Sequence, residues 1–127
     1  MTQKSEEFLY KELTEKIIGA AFEVYKNLGY GFLEKVYKNA LLVELRLRGI
    51  EAKSEFSISV HYKGEPVGDF ACDIYVEEKV LVELKVDKEY NSKNESQLSN
   101  YLKTTNVKVG LLLNFGEKKC EVKRMVY

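Results

Sequence analysis

The stretch DIYVEEKVLVELK, residues 73–85, decides how this chain is read. Two short runs rich in Val, Ile and Leu flank Glu77, Glu78 and Lys79, and so tight a polar gap predicts an antiparallel hairpin. Side chains alternate across a strand. Glu83 and Lys85 are therefore expected on one face with Leu81, and Val80, Val82 and Leu84 on the other. On the preceding strand Asp73 shares a face with Ala71 and Tyr75. Pairing through the turn brings Asp73 beside Glu83. Two carboxylates that close repel each other unless a cation lies between them, and oxygen ligands of this kind favour magnesium or manganese. A lysine two residues on can orient or deprotonate a metal-bound water and offset developing negative charge. The competing arrangement is an edge strand carrying a Glu83–Lys85 ion pair, with Asp73 in solvent. The apolar residues around Glu83 argue instead for a central strand.

Upstream, the periodicity is helical. Residues 5–28 predict one long helix, with Ser5 as its cap and Glu6 and Glu7 at the positive end of its dipole. Leu9, Leu13, Ile17, Ala21, Val24 and Leu28 form its apolar stripe, and Gly29 suits its end. Residues 32–48 predict a second helix closed by Gly49, with Leu33, Val36, Tyr37, Ala40, Leu41 and Leu45 as the buried face. The short connection makes the two a helical hairpin. The period then changes to two. Phe56, Ile58, Val60 and Tyr62 alternate with Ser57, Ser59 and His61, which marks a half-buried strand with His61 on its polar side. Residues 63–68 hold two glycines and the only proline, and read as a turn before a strand at 69–76. Downstream, Asn94 or Ser96 can start a third helix. Residues 107–115 read as a strand covered on both faces, and 120–126 as a last strand. The order is ααβββαββ, an α/β arrangement without repeats, low-complexity segments or linkers.

Composition bounds the rest. A chain of 127 residues suits one domain spanning 1–127 with a real core. Twenty Lys and Arg balance twenty Asp and Glu, which argues against a protein whose main role is to coat nucleic acid. Cys72 and Cys120 stand apart, without the further ligands that zinc needs. They are read as reduced thiols, with a single disulfide left open. No signal core and no run of about 18 apolar residues is present, so a soluble, cytoplasmic protein is expected. Lys118, Lys119, Lys123 and Arg124 read as solvated surface, with contact to a phosphate backbone left open.

Asp73, nine intervening residues and then Glu83-Leu84-Lys85 resemble the D…(D/E)-x-K core of the PD-(D/E)xK nuclease superfamily. Gly31, Glu34 and Tyr37 are similar to the G-x-x-E-x-x-Y signature of the GxxExxY protein family within it, and Gln97 and Tyr101 to a Q-x-x-x-Y that follows the core in its exonuclease-like branch. The resemblance spans residues 5–127. Cys72 stands where the superfamily often has proline. The resemblance implies a restriction-endonuclease-like core, with a mixed sheet flanked by helices, that hydrolyses phosphodiester bonds in nucleic acid, DNA above all. It further implies a magnesium or manganese ion held by Asp73, Glu83, the Leu84 carbonyl and Glu34, with Lys85 activating water and Gln97 and Tyr101 orienting the site. Read without it, Glu34 is a residue at the rim of its helix, since Glu is rarely buried. Gln97 and Tyr101, four apart, read as ordinary helix packing. The rival function is a binding or regulatory module that keeps the fold without cutting. The neutral charge also fits an enzyme completed by a second copy or a partner protein.

Overall fold

The computed structural model describes residues 9–127. Its elements follow in the order α1 (Lys11–Leu28), α2 (Glu34–Leu47), β1 (Ala52–Tyr62), β2 (Glu65–Val76), β3 (Val80–Lys85), α3 (Asn94–Thr105), β4 (Val109–Phe115) and β5 (Cys120–Val126). The five strands lie side by side in chain order. Three junctions are antiparallel, and β3 runs parallel to β4. A parallel step needs a crossover that returns the chain to its starting end, and α3 supplies it. This is the mixed sheet flanked by helices, in the order ααβββαββ, that the sequence implies.

Each sheet face has its own helical layer. On one side Ile17 and Val24 of α1 and Tyr37, Leu41 and Leu45 of α2 pack on Ile74, Val82, Leu84, Leu111 and Phe115. On the other, Leu98, Tyr101 and Leu102 of α3 pack on Ile58, Cys72, Leu81 and Leu112. Every residue of β4 is buried, as cover on both faces requires. Gly110 lets α3 come close, because a Cβ there would meet the Leu98 side chain at 3.1 Å.

Several expectations need correction. Residues 5–8, with the Ser5, Glu6 and Glu7 capping expectation, lie outside the described residues. Leu9 and Tyr10 form a turn rather than helix, because Tyr10 takes a left-handed φ of 56°. Leu33 is not on the buried face of α2. Its backbone is extended just before the helix, and its side chain is 78% exposed. The turn between β1 and β2 is Lys63-Gly64 alone, both at positive φ, the geometry a two-residue hairpin prefers. Glu65–Gly68 belong to β2. Pro66 is tolerated there because β3 pairs only with Ile74, Tyr75 and Val76, which leaves no strand on the far side of the ribbon. Residues 107 and 108 precede β4. Arg124 is half-buried rather than solvated, and its guanidinium donates to the Leu9 carbonyl. Both cysteines are free thiols. Among the described residues no helix is long and apolar enough to cross a membrane.

Tyr37 is fully buried, and its ring stacks on Phe115 at 4.6 Å. Its hydroxyl donates to the Gly29 carbonyl at 2.5 Å and accepts from the Phe32 amide at 3.3 Å. One side chain thus fixes both ends of the loop that carries Gly31, and so sets where Glu34 begins α2. Tyr37→Phe keeps the stack but leaves a part-buried carbonyl without its donor. It should cost about 1–3 kcal/mol in urea unfolding, and a loss of a few tenths or less would show that the hydroxyl does not hold the loop.

Candidate active site

Strand β3 lies between β2 and β4, so Glu83 and Lys85 belong to an interior strand, although beyond Val82 its ladder runs to β4 alone. Glu83 is 5% exposed. Among the described residues neither Glu83 nor Lys85 forms an ion pair. A buried carboxylate without a countercharge is costly, and what meets Glu83 here is one backbone amide, in a pair of hydrogen bonds that also engages Asp73. The Asp73 amide donates to Glu83 Oε1 at 3.0 Å, and the Leu84 amide donates to Asp73 Oδ2 at 2.8 Å. The β2–β3 ladder stops at Ile74–Val82. One residue further on, the two carboxylates stand in for the missing rungs.

The ladder stops because β2 changes face. Ala52 and Val76 pair with each other and belong to the α1–α2 layer, whereas Phe56 and Cys72 pair and face α3. An even spacing along a regular strand would keep one face. The register instead passes over Glu55 and Asp73, and Glu55 lies at φ 55°, an irregularity that lets a strand re-aim its side chains. Cys72 and Tyr75, three residues apart, both pack on the α3 layer, so the regular alternation expected from Ala71 through Asp73 to Tyr75 is broken. Cys72 is also the residue in the proline position. Its Sγ lies 3.4 Å from the Val82 carbonyl, and burial pushes the thiol pKa upward, so it stays neutral.

Burial raises the Glu83 pKa to about 8, and the Asp73 charge adds to the rise. The Asp73 amide and Lys85 pull it down by less. Glu34 on α2 is half-buried, and its pKa is raised by burial first and then by Asp73, while Lys85 lowers it. Glu34 thus lies within electrostatic reach of Asp73 and Lys85 from the α1–α2 layer. Tyr101 enters from the α3 layer. Its pKa is raised by burial and next by the Glu83 charge, and its hydroxyl accepts from Gln97 Nε2 at 2.9 Å. Gln97 and Tyr101 are therefore coupled to each other beside the carboxylates. Leu84 meets the pair through its amide, and its side chain lies in the α1–α2 core.

Asn114 escaped the sequence reading. It is 2% exposed and lies opposite Lys85 in the parallel register. Its Oδ1 accepts from the Asp87 amide and its Nδ2 donates to the Asp87 carbonyl, both at 3.0 Å. This fixes the chain just after Lys85. A lone Asn in the apolar run of β4 was the available signal.

Among the described residues no three His, Cys, Asp or Glu side chains gather into a ready metal cage. The acidic set is a hydrogen-bonded pair with Glu34 in electrostatic reach. Its donors are all oxygen, and its deepest carboxylate has no cation partner, so the set fits a hard divalent ion.

The fold and this site define a restriction-endonuclease-like domain. A model of the PD-(D/E)XK nuclease superfamily matches residues 11–125, and the chain belongs to that superfamily. No curated protein matches the chain significantly. Among solved structures, the crystal structure of SSO0001 superposes with a TM-score of 0.58 at 15% identity over 95% of this chain. The present chain spans 60% of the length of that protein, and the likeness is one of fold.

The raised Glu83 pKa carries a sign. The folded state holds this proton more tightly than the unfolded chain, whose carboxyl titrates near 4.5. In chelator, stability should therefore fall as pH rises from about 5 toward about 8, by a few kcal/mol at most. Glu83→Gln should flatten that slope in denaturant titrations across the range. Parallel slopes for the two proteins would mean that Glu83 is ionised throughout.

Proposed function

We propose that this chain, acting as one domain across residues 1–127, is a metal-dependent nuclease of the GxxExxY kind that hydrolyses phosphodiester bonds in nucleic acid, DNA in the first instance. The observation that carries this reading is the buried Glu83. It is hydrogen-bonded to Asp73 on a central strand, two residues before Lys85, which forms no ion pair among the described residues. A fold that needed only stability would place an apolar residue there.

In this reading Asp73 and Glu83 hold a magnesium or manganese ion, together with the Leu84 carbonyl and Glu34. A bound divalent ion would supply positive charge at the phosphate and acidify a water. Lys85 positions the attacking water and offsets charge on the phosphoryl oxygens as the leaving oxygen departs. Gln97 and Tyr101, already joined by a hydrogen bond, orient the phosphate from the α3 side. Asn114 keeps Lys85 in place by holding Asp87.

Thermal melts test the ion site. Manganese should raise the melting temperature of the wild type and do so much less for Asp73→Asn. Equal gains would remove the pair as a metal site. Lys85→Ala should cut cleavage of a DNA substrate by about a hundredfold or more while leaving the manganese-induced stabilisation intact. Unchanged cleavage would defeat the role given to Lys85.

Glu34 discriminates further. As a helix-rim residue alone, Glu34→Gln would shift stability by a few tenths of a kcal/mol and leave activity untouched. As a contributor to the ion site, it should lower cleavage and move the manganese dependence to higher concentration, with partial recovery at saturation. Superimposable manganese titrations would reduce Gly31, Glu34 and Tyr37 to helix packing.

A further inference from the structure

Beside the carboxylates lies a groove of about 880 Å³, between α3 and the free part of the β1–β2 ribbon. One wall is a polar stripe at helical spacing, formed by Lys93, Ser96, Asn100 and Lys103. The other wall carries His61 of β1 and Phe70 of β2. Gln97 and Tyr101 also line it, and Tyr101 packs in one cluster with Cys72 and Leu81, which lie just before Asp73 and Glu83 in the chain, so the groove adjoins the candidate site. The chain as a whole has no net charge, yet the lining contains lysines and no carboxylate. The nearest acid on the ribbon, Asp69, is engaged at the rim by the Ser59 hydroxyl at 2.8 Å. Among the described residues neither lysine forms an ion pair. Phe70 is 48% exposed, and its ring lies 6.0 Å from that of Tyr101.

We propose that this groove binds an unpaired strand of nucleic acid, with a base stacked on Phe70 and flanking phosphates on Lys93 and Lys103. The proposal rests on the nuclease reading for its direction, since the groove leads the strand toward Asp73 and Glu83. An exposed aromatic ring meets the face of a base only when that base is out of a duplex, so the groove selects single strands. Its volume is that of a pocket for one small ligand, which suits a nucleotide or two. The amides of Gln97 and Asn100 can meet base edges, and the lysines meet phosphates as point charges.

Fluorescence anisotropy tests this in chelator, so that binding is read apart from cleavage. The probes are a short end-labelled oligodeoxyuridylate, an oligouridylate and a duplex of the same length. The wild type should bind at least one single strand roughly tenfold or more tightly than the duplex. A preference between the two single strands assigns the sugar. Phe70→Ala should weaken that binding about tenfold, Phe70→Tyr should restore it, and circular dichroism checks that both variants fold. Lys93→Ala and Lys103→Ala should each lower the slope of log affinity against log salt by about 0.7. Equal affinity for duplex and single strands, or unchanged binding by Phe70→Ala, would overturn the groove while leaving any observed cleavage unexplained by it. Phe70-dependent strand binding without cleavage under magnesium or manganese would instead sink the nuclease reading and keep the groove.

Discussion

The structure turns on one exchange. The Asp73 amide binds the Glu83 carboxylate, and the Leu84 amide binds the Asp73 carboxylate. A central strand cannot bury a carboxylate cheaply, and the main chain cannot leave its amides unpaired. Each problem is resolved by the other. The acids satisfy amides at the point where the strand ladder parts, and the amides hold the acids side by side despite their repulsion. The same arrangement places Glu83 on an interior strand, where it is buried, while Asp73 stays half-buried beside it. Everything around it serves that placement: the crossover through α3, β4 buried on both faces, and the two helical layers.

The helical layers deliver different chemistry to the same strand end. From one side comes Glu34, whose position depends on the Tyr37 hydroxyl bridging the loop before it. From the other come Gln97 and Tyr101, brought close because Gly110 leaves room for Leu98. Neither Tyr37 nor Gly110 touches the carboxylates. They act by fixing where a helix starts and how near it lies, and both depend on the packing of large side chains, Phe115 in one case and Leu98 in the other. In an interior packed as densely as a crystal, small changes at such supports are transmitted rather than absorbed.

Much of this was legible in the residues. Valine and leucine around Glu83 marked the interior strand, the EEK gap marked the hairpin, and the apolar run of β4 marked cover on both faces. Most of the helix stripes and the order of elements along the chain followed from periodicity alone. What escaped was local backbone geometry. Tyr10 and Lys63 take left-handed conformations that their side chains do not advertise, so one helix starts late and one turn is shorter than its glycines and proline suggest. Leu33 looked like core because it is apolar and in phase with Leu41. Its exposure follows from lying one residue outside the helix, where phase has no meaning. The change of face at Asp73 could not be read from alternation, because alternation is the rule it breaks. Asn114 was visible as an oddity in β4, but its partner is a backbone segment 27 positions away, and composition carries no record of that contact.

The change of face also separates two parts of the molecule in evolutionary terms. Beyond Asp73 the ribbon of β1 and β2 is out of step with the rest of the sheet, and β3 does not pair with it. A register shift in a continuous sheet would turn every following side chain over. Here such a shift would be confined to the ribbon and would stop at the irregularity. The ribbon can therefore lengthen, shorten or change its exposed residues while the acids keep their hydrogen bonds. The outer hairpin is thus free to vary in length and surface while the paired acids beneath it stay as they are.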